Sequence, residues 1–248
     1  MARGLAWLAL ASLVACASPT SNRIADAERG APEVRRILLA PPNLVVALRS
    51  EIQSGSAPVD REIAAYLESQ GRELSRLGLI EGRKLWKQAV AEAKAAGAIE
   101  RGAGIFVAKL AREREFDALV MPSLILVRIQ MDASNASWDG VSRRMRAANA
   151  PADAVGREQS TLAKGVAFGG ISAPAWVTSL HVLVFARDGR RVFEGRGGIE
   201  FVHEIDLIDE GRSFRYELRP NGSIFTDRAL LREGVVRAFE PWMIPPDA

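Results

Sequence analysis

Residues 178–207, TSLHVLVFARDGRRVFEGRGGIEFVHEIDL, form two strand-like runs that meet at Asp188-Gly189. Asp-Gly between runs of apolar and β-branched residues is a strong hairpin signal, because the tightest hairpin turns need φ > 0 where glycine and aspartate tolerate it. With those two residues as the loop, Arg187 pairs with Arg190, Phe185 faces Val192 and Val184 faces Phe193. Apolar pairs then lie on both faces of the ribbon beside the turn. A ribbon apolar on both sides must be covered on both sides, so the remaining chain has to provide layers above and below it.

The segments able to do so are legible by their periods. Val59, Ile63, Tyr66 and Leu67 fall at i, i+4, i+7 and i+8, one stripe of a helix that Pro58 opens and Gly71 follows. A second helix is expected near Gly82 to Ala96, with Leu85, Ala89 and Ala93 on one face, Trp86 and Val90 beside them and Gly97 as the stop; a third covers about Ala103 to Arg114. A last helix around Phe225 to Phe239 carries Leu230, Leu231, Val235 and Phe239 on one side and is ended by PWMIPPDA. Trp86 and Trp242 lie on these stripes and are expected in the core.

Strands are expected at Val34–Ala40, from Asn43 to Ser50 beyond the Pro41-Pro42 break, at Glu73–Leu77, and as one long buried strand from Phe116 to Met131 bent at Pro122. ASWDGVSRRMR, which follows, is expected to turn back as the partner of that long strand. Residues 147–174 are Ala-, Gly- and Ser-rich without a period and read as a long loop. Gly195, Gly197 and Gly198, inside a strand-like run, are expected to mark a bulge or bend. The fold class this order implies is α/β (α+β): a single mixed β-sheet with helices packed against it, including a C-terminal β-hairpin followed by a helix.

The residues narrow the chemistry by what they leave out. There is one cysteine, Cys16, so thiolate metal sites and disulfides are not expected. The chain carries no G-x-x-x-x-G-K loop, no G-x-S-x-G elbow and no H-E-x-x-H. His181 and His203 have Glu200, Glu204 and Asp206 nearby, but the hairpin register sets His181 opposite Arg196 and leaves His203 seven residues further on, roughly 23 Å away. No shared metal site and no cofactor are expected. Asp206, Asp209 and Glu210 read as a solvated acidic turn. Arg143, Arg144 and Arg146, with Trp138 before them, are the candidate contact for an anionic partner, since arginine forks bind phosphate and carboxylate bidentately. The formal charge of +3, with arginines far outnumbering lysines, is too small to point to nucleic acid.

The N-terminus gives an address. Arg3 precedes an uncharged apolar run from Gly4 to Ala15, a length suited to a signal peptide and too short to span a bilayer. Leu13, Val14, Ala15 and Cys16 resemble the lipobox of bacterial lipoproteins. That resemblance implies a signal peptide over 1–15, a diacylglyceryl group on the Cys16 thiol, and acylation of its new amine. It also implies an anchor in the cell envelope, and Ala17 in place of aspartate favours the outer membrane, facing the periplasm. Residues 16–32 then form the lipidated cysteine and a flexible tether, and 33–248 a single periplasmic domain. RRILLAPPN, FDALVMPSLI, VLVFARDGRRVFEG and ALLREGVVRAF loosely resemble two sets of periplasmic α/β domains. These are the lipoproteins of curli-type secretion channels and the N-terminal domain of the Tol-system propeller protein.

Two functions fit these readings. The first is a non-enzymatic envelope lipoprotein acting through an envelope protein partner, as an accessory of secretion, transport or envelope assembly. It calls for an apolar or arginine-rich surface without a deep polar pocket. The second is a binder or hydrolase of a small ligand or cell-wall fragment, which needs Asp117, Asp139 and Glu200 to converge in a concave site.

Overall fold

The computed structural model describes residues 23–24, 33–132, 134–146, 173–209 and 214–243. The strands are β1 (Arg23–Ile24), β2 (Arg36–Leu39), β3 (Glu73–Arg76), β4 (Ala118–Met131), β5 (Asn135–Trp138), β6 (Val141–Arg144), β7 (Ala173–Ala186), β8 (Arg191–Phe201), β9 (His203–Asp209) and β10 (Phe214–Pro220). The helices are α1 (Ser56–Ser69), α2 (Leu79–Ala95), α3 (Gly102–Glu113) and α4 (Arg228–Met243). The main sheet has the order β1-β8-β7-β4-β2-β3; β2 is parallel to β3 and β4, and the remaining pairs are antiparallel. The chain is therefore a mixed sheet with helices against it and a hairpin, β7–β8, ahead of the last helix. β1, two residues of the segment read as a tether, pairs with β8 at Glu194 and Phe193.

Alternation along the strands separates two cores. Ile37, Leu39, Val120, Leu180, Val182 and Val184 point to the side covered by α1 and α4, where they meet Ile63, Leu67, Val235 and Phe239. Leu38, Leu119, Met121 and Phe185 point to the other side, against Ala89, Phe106, Val107 and Leu110 of α2 and α3. The ribbon beside Asp188-Gly189 is covered on both faces, as its apolar pairs require. A third cluster, built on Val177, Phe201, Trp138, Val141 and Met131, fills the far end of the β4–β7 pair.

Several local expectations are corrected. The turn is not a two-residue loop: the Ala186 amide donates to Arg190 O, Gly189 takes a φ of 87°, and Phe185 pairs with Arg191, leaving Val192 as an extra residue. Beyond that bulge Val184 faces Phe193 and His181 faces Arg196, as read. A three-residue loop with a left-handed glycine satisfies the strand twist as well as a two-residue turn does, which is why the dipeptide alone did not settle it.

Residues 43–50 are not a strand. Asn43 adopts φ 58°, and its side chain takes the place of strand pairing: Nδ2 donates to Leu124 O and Oδ1 accepts from Leu124 N, each at 2.9 Å. β4 continues through Pro122 without losing its pairing to β7; its missing N–H lies on the edge that β2 has left, where proline is tolerated. The antiparallel partner of β4 is β7. ASWDGVSRRMR instead makes its own ribbon, β5–β6, folded over β8 with the Gly198 amide donating to Asp139 O at 3.0 Å. α4 runs past Phe239 to Met243, its last turn held by Trp242 stacked on Phe193 at 5.9 Å. Residues Asp206 and Asp209 lie on β9, paired with β10, and not in a turn; Asp206 is buried in an ion pair with Arg219.

The glycines of β8 serve close approach. A Cβ at Gly197 would lie 1.9 Å from Gly234 O of α4, and one at Gly195 2.1 Å from Ala238 O. Gly198 meets Val141 and Trp138 of the β5–β6 ribbon in the same way on the other face. Gly195 and Gly197 stand in regular register; the bulge in β8 falls just after Gly198, at Ile199–Glu200. Residues 1–22, which include Leu13, Val14, Ala15 and Cys16, lie outside the described residues, as do 147–172 and Glu210.

Candidate functional site

The connection leaving β2 passes to α1 on one face of the sheet, and the connection leaving β3 passes to α2 on the other. Adjacent parallel strands whose following connections diverge leave an opening at their carboxyl ends, the usual ligand position of open α/β sheets. Here that opening is a crevice of about 360 Å³ lined by Leu39, Pro41, Pro42, Ser56, Asp60 and Leu77. Pro41 and Pro42 end β2 and force the turn; Asn43 then fixes the loop to β4. Asp60 of α1 is ion-paired with Arg76 at the end of β3, closing one wall.

The rim of this edge is apolar. Leu44 packs where a Cβ on Gly82 would meet it, bringing the loop after β2 against the first turns of α2. On those two segments Val46 is 44% exposed, Leu79 43% and Ile80 86%. The sequence carried a signal for this: Leu79 and Ile80 are consecutive, so both cannot lie on the stripe of Leu85, Ala89 and Ala93. The expected helix began at Gly82, which hid it.

The residues singled out for chemistry do not converge. Asp117 accepts the Arg35 and Arg36 amides at 2.9 and 2.8 Å and the Arg36 guanidinium at 3.0 Å, fastening β2 to the start of β4. These hydrogen bonds and the Arg36 charge hold its carboxyl below the usual range, against the opposing effect of burial. Asp139, in the β5–β6 turn, accepts from Ser179 Oγ at 2.7 Å. Ser179 pairs with Ile125, so Asp117 and Asp139 stand about eight residues, roughly 26 Å, apart along β4. Glu200 is buried beside Arg146 and accepts from the Phe201 amide at 2.9 Å; burial pushes its pKa up. Each of these carboxylates is engaged, by backbone amides, an arginine or the Ser179 hydroxyl.

The three arginines are likewise engaged within the domain. Arg143 donates to Glu233 at 2.7 Å and to Ile199 O at 3.3 Å, tying β6 to α4. Arg144 reaches Ser134 Oγ at 3.3 Å, and Arg146 lies 3.5 Å from Glu200 and 3.6 Å from Asp227.

His181 sits in a polar row across the middle of the sheet, paired with Ser123 of β4 on one side and Arg196 of β8 on the other. Its Nε2 is 3.1 Å from Glu194 Oε1. Burial, aided by Arg196, holds its pKa below the ordinary histidine value although Glu194 and Asp139 pull it up. A folded pKa below the unfolded one means the unfolded chain takes up the proton first. The His181 contribution to stability is therefore complete above about pH 6.5 and lost as pH falls below it. His181→Gln should flatten the decline of urea-unfolding stability between pH 7 and 5; an unchanged slope would assign that decline to other groups. Among the described residues no three or more His, Cys, Asp or Glu are grouped to hold a metal ion, and no helix is long and apolar enough to cross a membrane.

No known family profile matches this chain, and no curated protein matches it in sequence.

Proposed function

We propose that this chain is a bacterial envelope lipoprotein, anchored through acylated Cys16 and facing the periplasm from the outer membrane. Its α/β domain works without catalysis, by holding an envelope protein partner at the carboxyl edge of β2 and β3. The observation that carries this reading is the apolar rim of that edge, with Ile80 86% exposed next to Leu79 beside the crevice. Large apolar side chains left exposed together at one edge mark an interaction site. A hydrolase of cell-wall fragments is disfavoured because Asp117 stands roughly 26 Å along β4 from Asp139, and all three carboxylates, with Glu200, are already bonded. The lipobox residues Leu13 to Cys16 supply the anchoring half of the reading. Two acyl signals are enough for stable attachment, which places the domain within reach of membrane-bound partners.

The test is photo-crosslinking from position 80 of the full chain in the membranes of an expressing bacterium. The expected result is one discrete adduct from position 80 and none from Glu68, at the far end of α1, with a lipidated intact mass that Cys16→Ala abolishes together with the adduct. A wild-type chain without lipid mass would sink the anchoring half. Lipidated protein giving no discrete adduct from position 79 or 80 would sink the binding half.

A further inference from the structure

A second cleft, of about 560 Å³, lies between α1 and the turn that leads into α4. Pro58, Phe225 and Leu231 give it an apolar wall, and Arg61 and Arg228 stand at its edge. At its base the carboxylate of Glu62, 5% exposed, accepts from Arg228 Nε at 3.0 Å and from Arg232 Nη1 at 3.3 Å. We propose that this cleft binds a phosphate monoester.

Charge, orientation and unused donors all favour such an anion. Arg61 and Arg228 line the cleft and Arg232 reaches Glu62 from one turn further along α4. Three guanidinium groups therefore stand with one carboxylate in and beside it, two net positive charges, the complement of a phosphate monoester dianion. A buried carboxylate would be a poor neighbour for an anion if it stood alone. Here it is already neutralised, and it holds two arginines from successive turns of α4 in fixed places, as a supporting residue holds a binding group. Arg228 uses only its Nε on Glu62 and remains 77% exposed, so its paired Nη donors are unspent. Arg61, one residue from Glu62 on α1, has no hydrogen-bond or ion-pair partner among the described residues. Planar guanidinium forks brought together from two helices match the tetrahedral oxygens of phosphate better than a single carboxylate. The apolar wall leaves room for the organic part of the ester. Phe225 is fixed in this wall at φ 69°, its ring filling the place where Gly55 lacks a Cβ.

This assignment stands apart from the anchoring and the apolar rim, and it replaces Arg143, Arg144 and Arg146 as the place where arginine meets an outside anion. Either a soluble phosphate ester or the phosphate of an anionic lipid headgroup could supply the group. The full chain in phosphatidylcholine nanodiscs is titrated calorimetrically with glycerol 3-phosphate at constant ionic strength, then again in nanodiscs containing phosphatidic acid. Saturable binding is expected, weakened about tenfold or more by Arg61→Gln, the loss of one charge-assisted contact. Binding equal in both nanodiscs assigns a soluble ester; binding abolished by phosphatidic acid assigns the lipid headgroup. Absence of saturable binding in phosphatidylcholine, or binding unchanged in Arg61→Gln, overturns the proposal. Arg228→Gln should weaken binding similarly. Because Arg228 also supports Glu62, its thermal midpoint is measured alongside, and the Arg61 result decides if Arg228→Gln fails to fold.

Discussion

Gly197→Val is expected to cost at least about 4 kcal/mol and to remove α4 from the sheet. Ordinary overpacking costs about 1–3 kcal/mol because side chains yield. Here the obstacle is backbone on both sides: a Cβ at 197 would lie 1.9 Å from Gly234 O and 2.8 Å from Ala238 N. Gly234 in turn lacks a Cβ where Ile199 and the Gly198 carbonyl approach, so neither partner has slack. The helix would have to lift, exposing Val235, Ala238, Phe239 and Trp242, all buried against β8 or α1. Urea unfolding followed by tryptophan fluorescence reports this directly, since Trp242 stacks on Phe193. Gly222→Val is the control, because nothing lies within 4 Å of a Cβ there. An unchanged midpoint for Gly197→Val would mean that α4 does not approach β8 as described.

Asn43→Ala is expected to cost about 3 kcal/mol by a different route, leaving both backbone groups of Leu124 without their partner. Alanine also has less tolerance than asparagine for the left-handed conformation that residue 43 adopts. The consequence is local before it is global: the loop from Pro41 to Val46 loses its attachment to β4, and the crevice wall with it. Hydrogen exchange at the Leu124 amide should accelerate while the amides of β7 and β8 keep their protection. Slow exchange at Leu124 in the variant would show that the edge is satisfied without Asn43.

What the sequence made legible was whatever depends on near neighbours. The stripe of Val59, Ile63, Tyr66 and Leu67 marks α1 because its repeat is local, and Asp188-Gly189 marks a hairpin for the same reason. The bulge at Val192 was hidden because either register puts apolar residues on both faces. The partner of β4 begins more than forty residues beyond its end, so ASWDGVSRRMR, nearer and plausible in pattern, took its place. HEIDLID alternates as a strand should, but the charge of Asp206 and Asp209 suggested a solvated turn; Asp206 is buried in its ion pair with Arg219. The glycines of β8 point to close approach only once α4 is known to cross them. The crevice is a property of strand order, which no window of residues contains, whereas its rim left a trace in the consecutive Leu79 and Ile80.

The seating of α4 on β8 also sets a timetable. The sheet face beneath it, with Leu180, Val182, Phe193 and Ile199, stays uncovered on that side until residues 228–243 arrive. β2, α1 and β3 lie earlier in the chain and can assemble among themselves, but this apolar face waits for residues 228–243. Closure of this sheet face therefore depends on α4 and cannot precede it. A truncation before residue 228 would leave a sticky, unfinished sheet rather than a slightly shorter protein.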